Sequence, residues 1–268
     1  MNKSIVTLAS LFAAIAALPV TGHAEDAAPA AAPASPLTFN IGVVSDYRYR
    51  GISQTRYKPA LQGGADYTFA NGFYVGTWAS TIKWIKDFGV KGSVEWDIYG
   101  GYRGEVAPGL NFDVGLLEYY YIGNKLADTG SYKNANTLEA YGALTYGPIT
   151  GKVSYALTNL FGNYNFTTNE KTRGSYYLDL SGTFDLGSGF TLVPHLGYQK
   201  LEHLPSSPNP SYTDYSITVS KDLGSGFSVS LAGVGTDADK GFYVTGSSVS
   251  PSKFLGKNSL VAGLKYAF

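Results

Sequence analysis

One unit recurs along most of this chain: about ten residues in which apolar and polar side chains alternate, then a break. A period of two puts successive side chains on opposite faces of an extended strand, so the pattern selects β-structure with two chemically different sides. In the last unit Leu260, Ala262, Leu264, Tyr266 and Phe268 share one face, and Ser259, Val261, Gly263, Lys265 and Ala267 share the other. Residues 174–184 set Tyr176, Leu178, Leu180 and Phe184 against Tyr177, Asp179, Ser181 and Thr183. Residues 93–103 set Val94, Trp96, Ile98 and Tyr102 against Glu95, Asp97, Tyr99 and Arg103. A helix would scatter these charges around its circumference; a strand segregates them.

Twelve such segments lie near 38–50, 60–69, 73–82, 92–105, 111–121, 136–146, 150–158, 174–184, 190–200, 212–223, 227–236 and 258–268. Their connections alternate strictly. Five are tight and built on Gly, Asn or Pro: Ala70–Gly72, Ala107–Leu110, Gly147–Ile149, Gly187–Gly189 and Gly224–Gly226. Six are longer: 51–59, 83–91, 122–135, 159–173, 201–211 and 237–257. Short turns at one end and long loops at the other define the expected fold. It is all-β, a transmembrane antiparallel up-and-down barrel of about twelve strands, with short periplasmic turns and longer extracellular loops. An even strand number places both ends of the barrel segment on the short-turn side.

Aromatic residues, 15% of the chain, sharpen this expectation. Phe39, Phe69, Phe73, Phe112, Tyr146, Phe184, Phe190, Phe227 and Phe268 all fall at the short-turn ends of strands. That is the girdle expected where lipid headgroups meet hydrocarbon. Tyr47, Tyr49, Trp96, Tyr119, Tyr120, Tyr155, Tyr176 and Tyr215 suggest a looser second ring at the loop ends. Two strands leave their facing open. In 73–82, Phe73, Val75 and Ala79 oppose Tyr74, Gly76 and Trp78; in 111–121, an outward Phe112, Val114 and Leu116 also turns Glu118 outward. A bulge, or a position above the hydrocarbon, would accommodate Glu118.

Ahead of the barrel, Lys3 precedes an apolar run from Ile5 to Val20, and Gly22 and Ala24 set small residues before a cut after Ala24. This is the pattern of a cleaved secretory signal over 1–24, leaving 244 residues. The Ala/Pro-rich stretch 25–36 reads as a disordered leader, and 37–268 as the barrel.

The words SDYRYRGISQT (45–55), PALQGGADY (59–67), NGFYVGTWAS (71–80), EWDIYGGYRGE (95–105), LTYGPITGKVSY (144–155) and SYYLDLSGTFDLGSGF (175–190) follow in this order. In order and wording the chain resembles the TorF family, exported proteins of Gram-negative bacteria named as porins and carrying no established substrate. The resemblance runs from Leu37 to Phe268. It implies a channel in the bacterial outer membrane, with outer-membrane lipid as its surroundings. Leu264, Tyr266 and Phe268 are similar to the C-terminal assembly signal read by the barrel-assembly machinery.

With apolar side chains outward, the other face carries Asp46, Arg48, Arg50, Asp66, Glu95, Asp97, Arg103, Glu105, Asp113, Glu139, Lys152, Asp179 and Lys265. An Arg or Lys on the lipid face at mid-depth costs about 2–4 kcal/mol, which explains the segregation. Such a face lines either a hydrated, mildly cation-selective pore or a salt-bridged interior without traffic. Asp46, Arg48 and Arg50 should point inward together near the mouth. There the two guanidiniums would grip an anion or pair with Glu95, Asp97 or Asp113 across the lumen.

Equal numbers of basic and acidic residues, 20 each, give no field for nucleic acid, and the absence of Cys excludes thiol chemistry and Cys-ligated metals. No cofactor or metal is expected, and an enzyme is not. The one hydrolase-like possibility centres on His195, with Ser181, Ser216 and Thr218 as neighbours and Asp179 or Asp222 to orient it, but no motif ties them together. The sequence therefore points to a narrow channel for passive diffusion of ions or small polar solutes. The alternatives are a plugged structural or adhesive barrel acting through loops 122–135, 159–173 and 237–257, or an outer-membrane hydrolase.

Overall fold

The computed structural model describes residues 35–268. The expected signal peptide, 1–24, and residues 25–34 of the leader lie outside the described residues. Twelve strands form the body: β1 (Leu37–Val44), β2 (Ala60–Thr68), β3 (Phe73–Thr81), β4 (Val94–Ala107), β5 (Leu110–Tyr121), β6 (Thr137–Tyr146), β7 (Ile149–Ala156), β8 (Tyr176–Gly182, continued as Phe184–Gly187), β9 (Phe190–Lys200), β10 (Tyr212–Gly224), β11 (Phe227–Thr236) and β12 (Ser259–Ala267). Each pairs antiparallel with its sequence neighbours, and β1 pairs with β12 from Asn40↔Ala267 to Val44↔Gly263. The sheet therefore closes on itself, and no strand edge is left to seek a partner. Among the described residues no helix is long and apolar enough to cross a membrane.

Local chemistry fixes the tight ends. Ser188 and Gly189 have φ of 53° and 73°, and Ser225 and Gly226 have 53° and 83°. Positive φ at both central positions makes the two-residue turn whose twist matches that of the flanking strands, and Ser-Gly tolerates it. A register shift just before each turn, at Asp185/Gly187 and Asp222/Gly224, seats it.

Alternation then separates two surfaces. Ile41, Val75, Ile98, Leu116, Leu144, Leu180, Ile217 and Leu231 are 47–59% exposed on the outside. So broad a band of exposed apolar side chains calls for an apolar medium. At its lower border the expected girdle forms a chain of ring contacts: Phe39 with Phe268 at 5.5 Å, Tyr266 with Phe268 at 5.2 Å, and Phe73 with Tyr102 at 4.8 Å.

The two open facings resolve. In β3 Trp78 turns inward at 4% exposure while Phe73 and Val75 face out at 54% and 51%. In β5 Glu118 does turn outward, and its register with Ile98 and Leu138 is regular, so no bulge relieves it. It lies one step inside the exposed Tyr120, near the loop end of the barrel wall.

Inside, tyrosines lie across glycines of the neighbouring strand. A Cβ at Gly76 would collide with the ring of Tyr99, and one at Gly197 with the hydroxyl of Tyr177. The freed space lets Tyr99 donate to Asp66 (2.6 Å), Tyr74 to Asp113 (2.6 Å) and Tyr177 to Asp214 (2.9 Å). These three inward carboxylates are thereby satisfied from the wall itself.

Candidate functional site

β1 is shorter than its sequence pattern. It ends at Val44, not near residue 50, where its last register partners are Gly263 of β12 and Ala60 of β2. The chain then turns into the barrel. Arg48–Tyr49 pairs with Ile52–Ser53, and Arg50 and Gly51 form the tip with φ of 46° and 77°. Every residue from Asp46 to Ser53 is buried. Asp46, Arg48 and Arg50 do point inward, but so do the tyrosines between them. Tyr47, Tyr49 and Tyr119, expected in an outer ring, are 0%, 9% and 1% exposed inside the lumen. A hairpin enclosed by the barrel has no outward face, which is why the two-sided expectation failed for Tyr47 and Tyr49; Tyr119 sits on the inward parity of β5 with Leu117 and Tyr121.

Anchors hold this hairpin around the wall. Tyr47 donates to Glu95 of β4 and packs edge-on against Trp78 of β3 at 5.4 Å. The Tyr49 and Tyr119 hydroxyls are 2.7 Å apart. Arg50 grips both oxygens of Glu139 on β6 at 3.0 and 2.8 Å and donates to Gln199 of β9 at 2.6 Å. Its guanidinium also stacks over the rings of Tyr49 and Tyr177 at 4.8 and 4.3 Å. Tyr212 of β10 donates to the carbonyl of Arg50 at 2.9 Å. The partner of Arg50 is thus Glu139, not Glu95, Asp97 or Asp113. The Nη2 contact with both carboxylate oxygens, the Nη1 bond to Gln199 and the stacking are what make so buried a guanidinium tolerable.

Arg48 has a different task. It pairs with Asp46 at 2.5 Å and donates to the carbonyls of Gly51 (2.7 Å), Leu255 (3.3 Å) and Lys257 (3.2 Å), and to Ser259. Ser53 and Thr55 also donate to Asp46, at 2.5 and 3.0 Å. Arg48 therefore clasps the base of the hairpin to the loop before β12 and offers no free charge to a passing solute. Arg48→Ala should lower thermal stability markedly, by about 3 kcal/mol for a broken buried pair, and leave ion selectivity unchanged. Heat-modifiability on gels and reversal potentials check the two halves.

Nearer the short turns the inner wall is only half-buried. Asp66, Arg103, Asp113, Asp179 and Lys265 lie there, with Lys152 more deeply placed. Arg103 donates to Thr68 at 2.8 Å and stacks over Tyr74 at 4.9 Å, and Lys152 stacks over Tyr141 at 4.3 Å. Glu105 is exposed beyond this lining, its carboxylate accepting from the Gly109 amide at 2.7 Å to cap a turn. Of the acids expected in the lining, Glu95, Asp97 and Glu139 face the hairpin, at 1–2% exposure, and Asp214 lies against its tip at Gly51.

His195 sits beside Tyr177 (3.0 Å), Asp214 (3.4 Å) and Asp179 (3.6 Å). Ser181 and Ser216 are its register partners, yet the Ser216 hydroxyl is buried without a hydrogen bond. Among the described residues no serine–histidine pair is poised for acyl transfer. Gln199, Asp214, Tyr177 and Tyr119 complete the site and were absent from the sequence-based lining. Inward parity was the available signal for all four; an uncharged Gln or Tyr does not stand out on an inner face, whereas Asp214 carried its charge as a second signal.

The fold recurs in solved porins. The KdgM porin matches with a TM-score of 0.51 at 10% identity, over 86% of this chain and 99% of that one. The NanC porin matches with a TM-score of 0.51 at 11% identity, over 86% and 98%. At such identities the likeness is one of fold. No curated protein sequence matches. A family model does, over residues 28–268, and the chain belongs to that family, described as Bacterial protein of unknown function (Gcw_chp).

Proposed function

We propose that this protein is a channel of the bacterial outer membrane, passing ions or small polar solutes by diffusion past a constriction made by the hairpin 46–53. One observation carries the reading: a closed barrel with a polar, titratable lumen and an apolar exterior. Water inside and lipid outside are the two media that this partition fits. In this reading the short turns face the periplasm, Asp66, Arg103, Asp113, Lys152, Asp179 and Lys265 line the inner vestibule, and Arg50 with Glu139 marks the narrowest level. The TorF resemblance and the porin fold agree with a channel rather than an enzyme. The strand ending in Leu264, Tyr266 and Phe268 would be what the assembly machinery reads.

The hairpin's span from β1 to Glu139 and Gln199 favours a second reading, a barrel plugged at rest. Planar-bilayer recording of refolded protein separates the two. Steady, small conductance steps support the constricted channel; silence under all voltages supports the plug.

A further inference from the structure

Above the hairpin, the loop ends enclose a cup of about 860 Å³, open solvent included. Its floor is Tyr49, Ile52 and Ser53, and its walls come from all the long loops, with Trp84, Phe88, Tyr121, Phe161, Phe242 and Tyr243 prominent. The rings brace one another: Trp84 meets Tyr121 edge-on at 5.3 Å, and Phe161 meets Tyr49 edge-on at 5.4 Å. This is a built cavity, distinct from the charged lumen beneath it.

What the cup offers a ligand follows from its polar groups, most of which are already engaged. Ser53 donates to Asp46 (2.5 Å), Gln54 to the Ile52 carbonyl (3.0 Å) and Asn163 to the Leu160 carbonyl (2.9 Å). Gln199 holds Arg50 (2.6 Å) and donates to the Tyr176 carbonyl (2.9 Å). Tyr212 and Tyr243 donate to the carbonyls of Arg50 and Pro210. Ring faces, apolar edges and one free donor, the buried Nε1 of Trp84, remain. A sugar brings hydroxyls around its whole rim, and each one buried without a partner costs about 1–3 kcal/mol. A flat aromatic ring brings none and stacks on what is there.

Charge selects further. Outside the hairpin the loops carry twelve Lys or Arg against six Asp or Glu, in a chain balanced at 20 and 20. At the rim Asp87 is neutralised by Arg56, whose Nε lies 3.2 Å from it. Burial pushes the Asp87 carboxyl up, and Arg56, Lys83 and Lys253 oppose this through their charge. The Lys83 amide donates to the carbonyl of Gln54 at 2.8 Å, and the Lys253 carbonyl accepts from the amide of Thr245 at 2.9 Å. Both lysines therefore flank the cup beside its lining residues Gln54, Trp84, Val244 and Gly246, with the local acid already taken.

We infer that the cup is a binding site for a small aromatic carboxylate, its ring held among Trp84, Phe88, Tyr121 and Phe161 and its anion turned toward Lys83 and Lys253. The site lies above the constriction and does not depend on whether the lumen conducts.

Calorimetric titration of the folded barrel in micelles tests this with benzoate, benzyl alcohol and glucose as probes. Benzoate should bind, benzyl alcohol more weakly, and glucose not at all. Lys83→Ala with Lys253→Ala should weaken benzoate about tenfold, equivalent to about 1.4 kcal/mol, and leave benzyl alcohol unchanged. Both lysines lie outside the strands, so the barrel of this variant should form as before. Trp84→Ala should weaken both aromatic probes. Glucose binding without benzoate, no benzoate binding at millimolar concentration, or benzoate affinity indifferent to these variants would overturn the assignment, whatever the bilayer recordings show.

Discussion

Arg50→Ala should open the lumen. The substitution removes the bonds to both Glu139 oxygens, the bond to Gln199 and the stack on Tyr177, and leaves the tip only the Tyr212 bond to the backbone carbonyl of residue 50 on the far wall. Breaking a buried pair from one side costs about 3–5 kcal/mol, because the carboxylate left behind stays desolvated. Taking about 3 kcal/mol, the population of barrels with the tip withdrawn rises about a hundredfold. The Tyr47–Glu95 and Tyr49–Tyr119 bonds remain and keep the base of the hairpin in place. Single-channel records should therefore show long-lived steps larger than those of the parent. Arg50→Glu combined with Glu139→Arg should return the record toward the parent by restoring the pair in reverse. An unchanged conductance in Arg50→Ala would place the constriction elsewhere.

Leu180→Arg carries the second large effect. Leu180 lies mid-strand on the outer face of β8 at 54% exposure. If that face meets hydrocarbon, an arginine there costs about 2–4 kcal/mol. If it met water, a surface substitution would fall within about 0.5 kcal/mol of zero. Urea titration of the barrel folded into vesicles should show a lowered midpoint and a reduced folded yield for Leu180→Arg. A midpoint equal to the parent's would contradict an apolar surrounding.

Most of the barrel was legible because a wall with an apolar outside and a polar inside imposes a rule on every second residue. Leu260, Leu264 and their counterparts must face out, and the tight turns had to hold residues that tolerate positive φ, such as Gly189 and Gly226. The first long loop was not legible for the same reason in reverse. Asp46-Tyr47-Arg48-Tyr49-Arg50 alternates as a strand does, so parity extended β1 by several residues. What ends the strand is pairing between distant segments: β2 begins at Ala60, opposite Val44, so the chain beyond Val44 has no β2 partner, although β12 runs on past Gly263 to Ser259. The choice of Glu139 over Glu95 as partner of Arg50 is likewise set by where the hairpin tip lands. The facing of Glu118 was left open by the sequence, and its regular register with Ile98 places it outward.

The chain's own tryptophans can report which medium touches which face. Trp96 lies on the outer face near the loop end at 40% exposure, bonded to Thr77 at 2.5 Å, while Trp78, on the adjacent strand, points inward at 4%. Two variants, each keeping one of these residues and carrying Phe at the other and at Trp84, can be folded into vesicles of brominated lipid. Strong quenching of Trp96 fluorescence with Trp78 unaffected is the predicted result; a Trp96 signal as indifferent to bromine as that of Trp78 would contradict it.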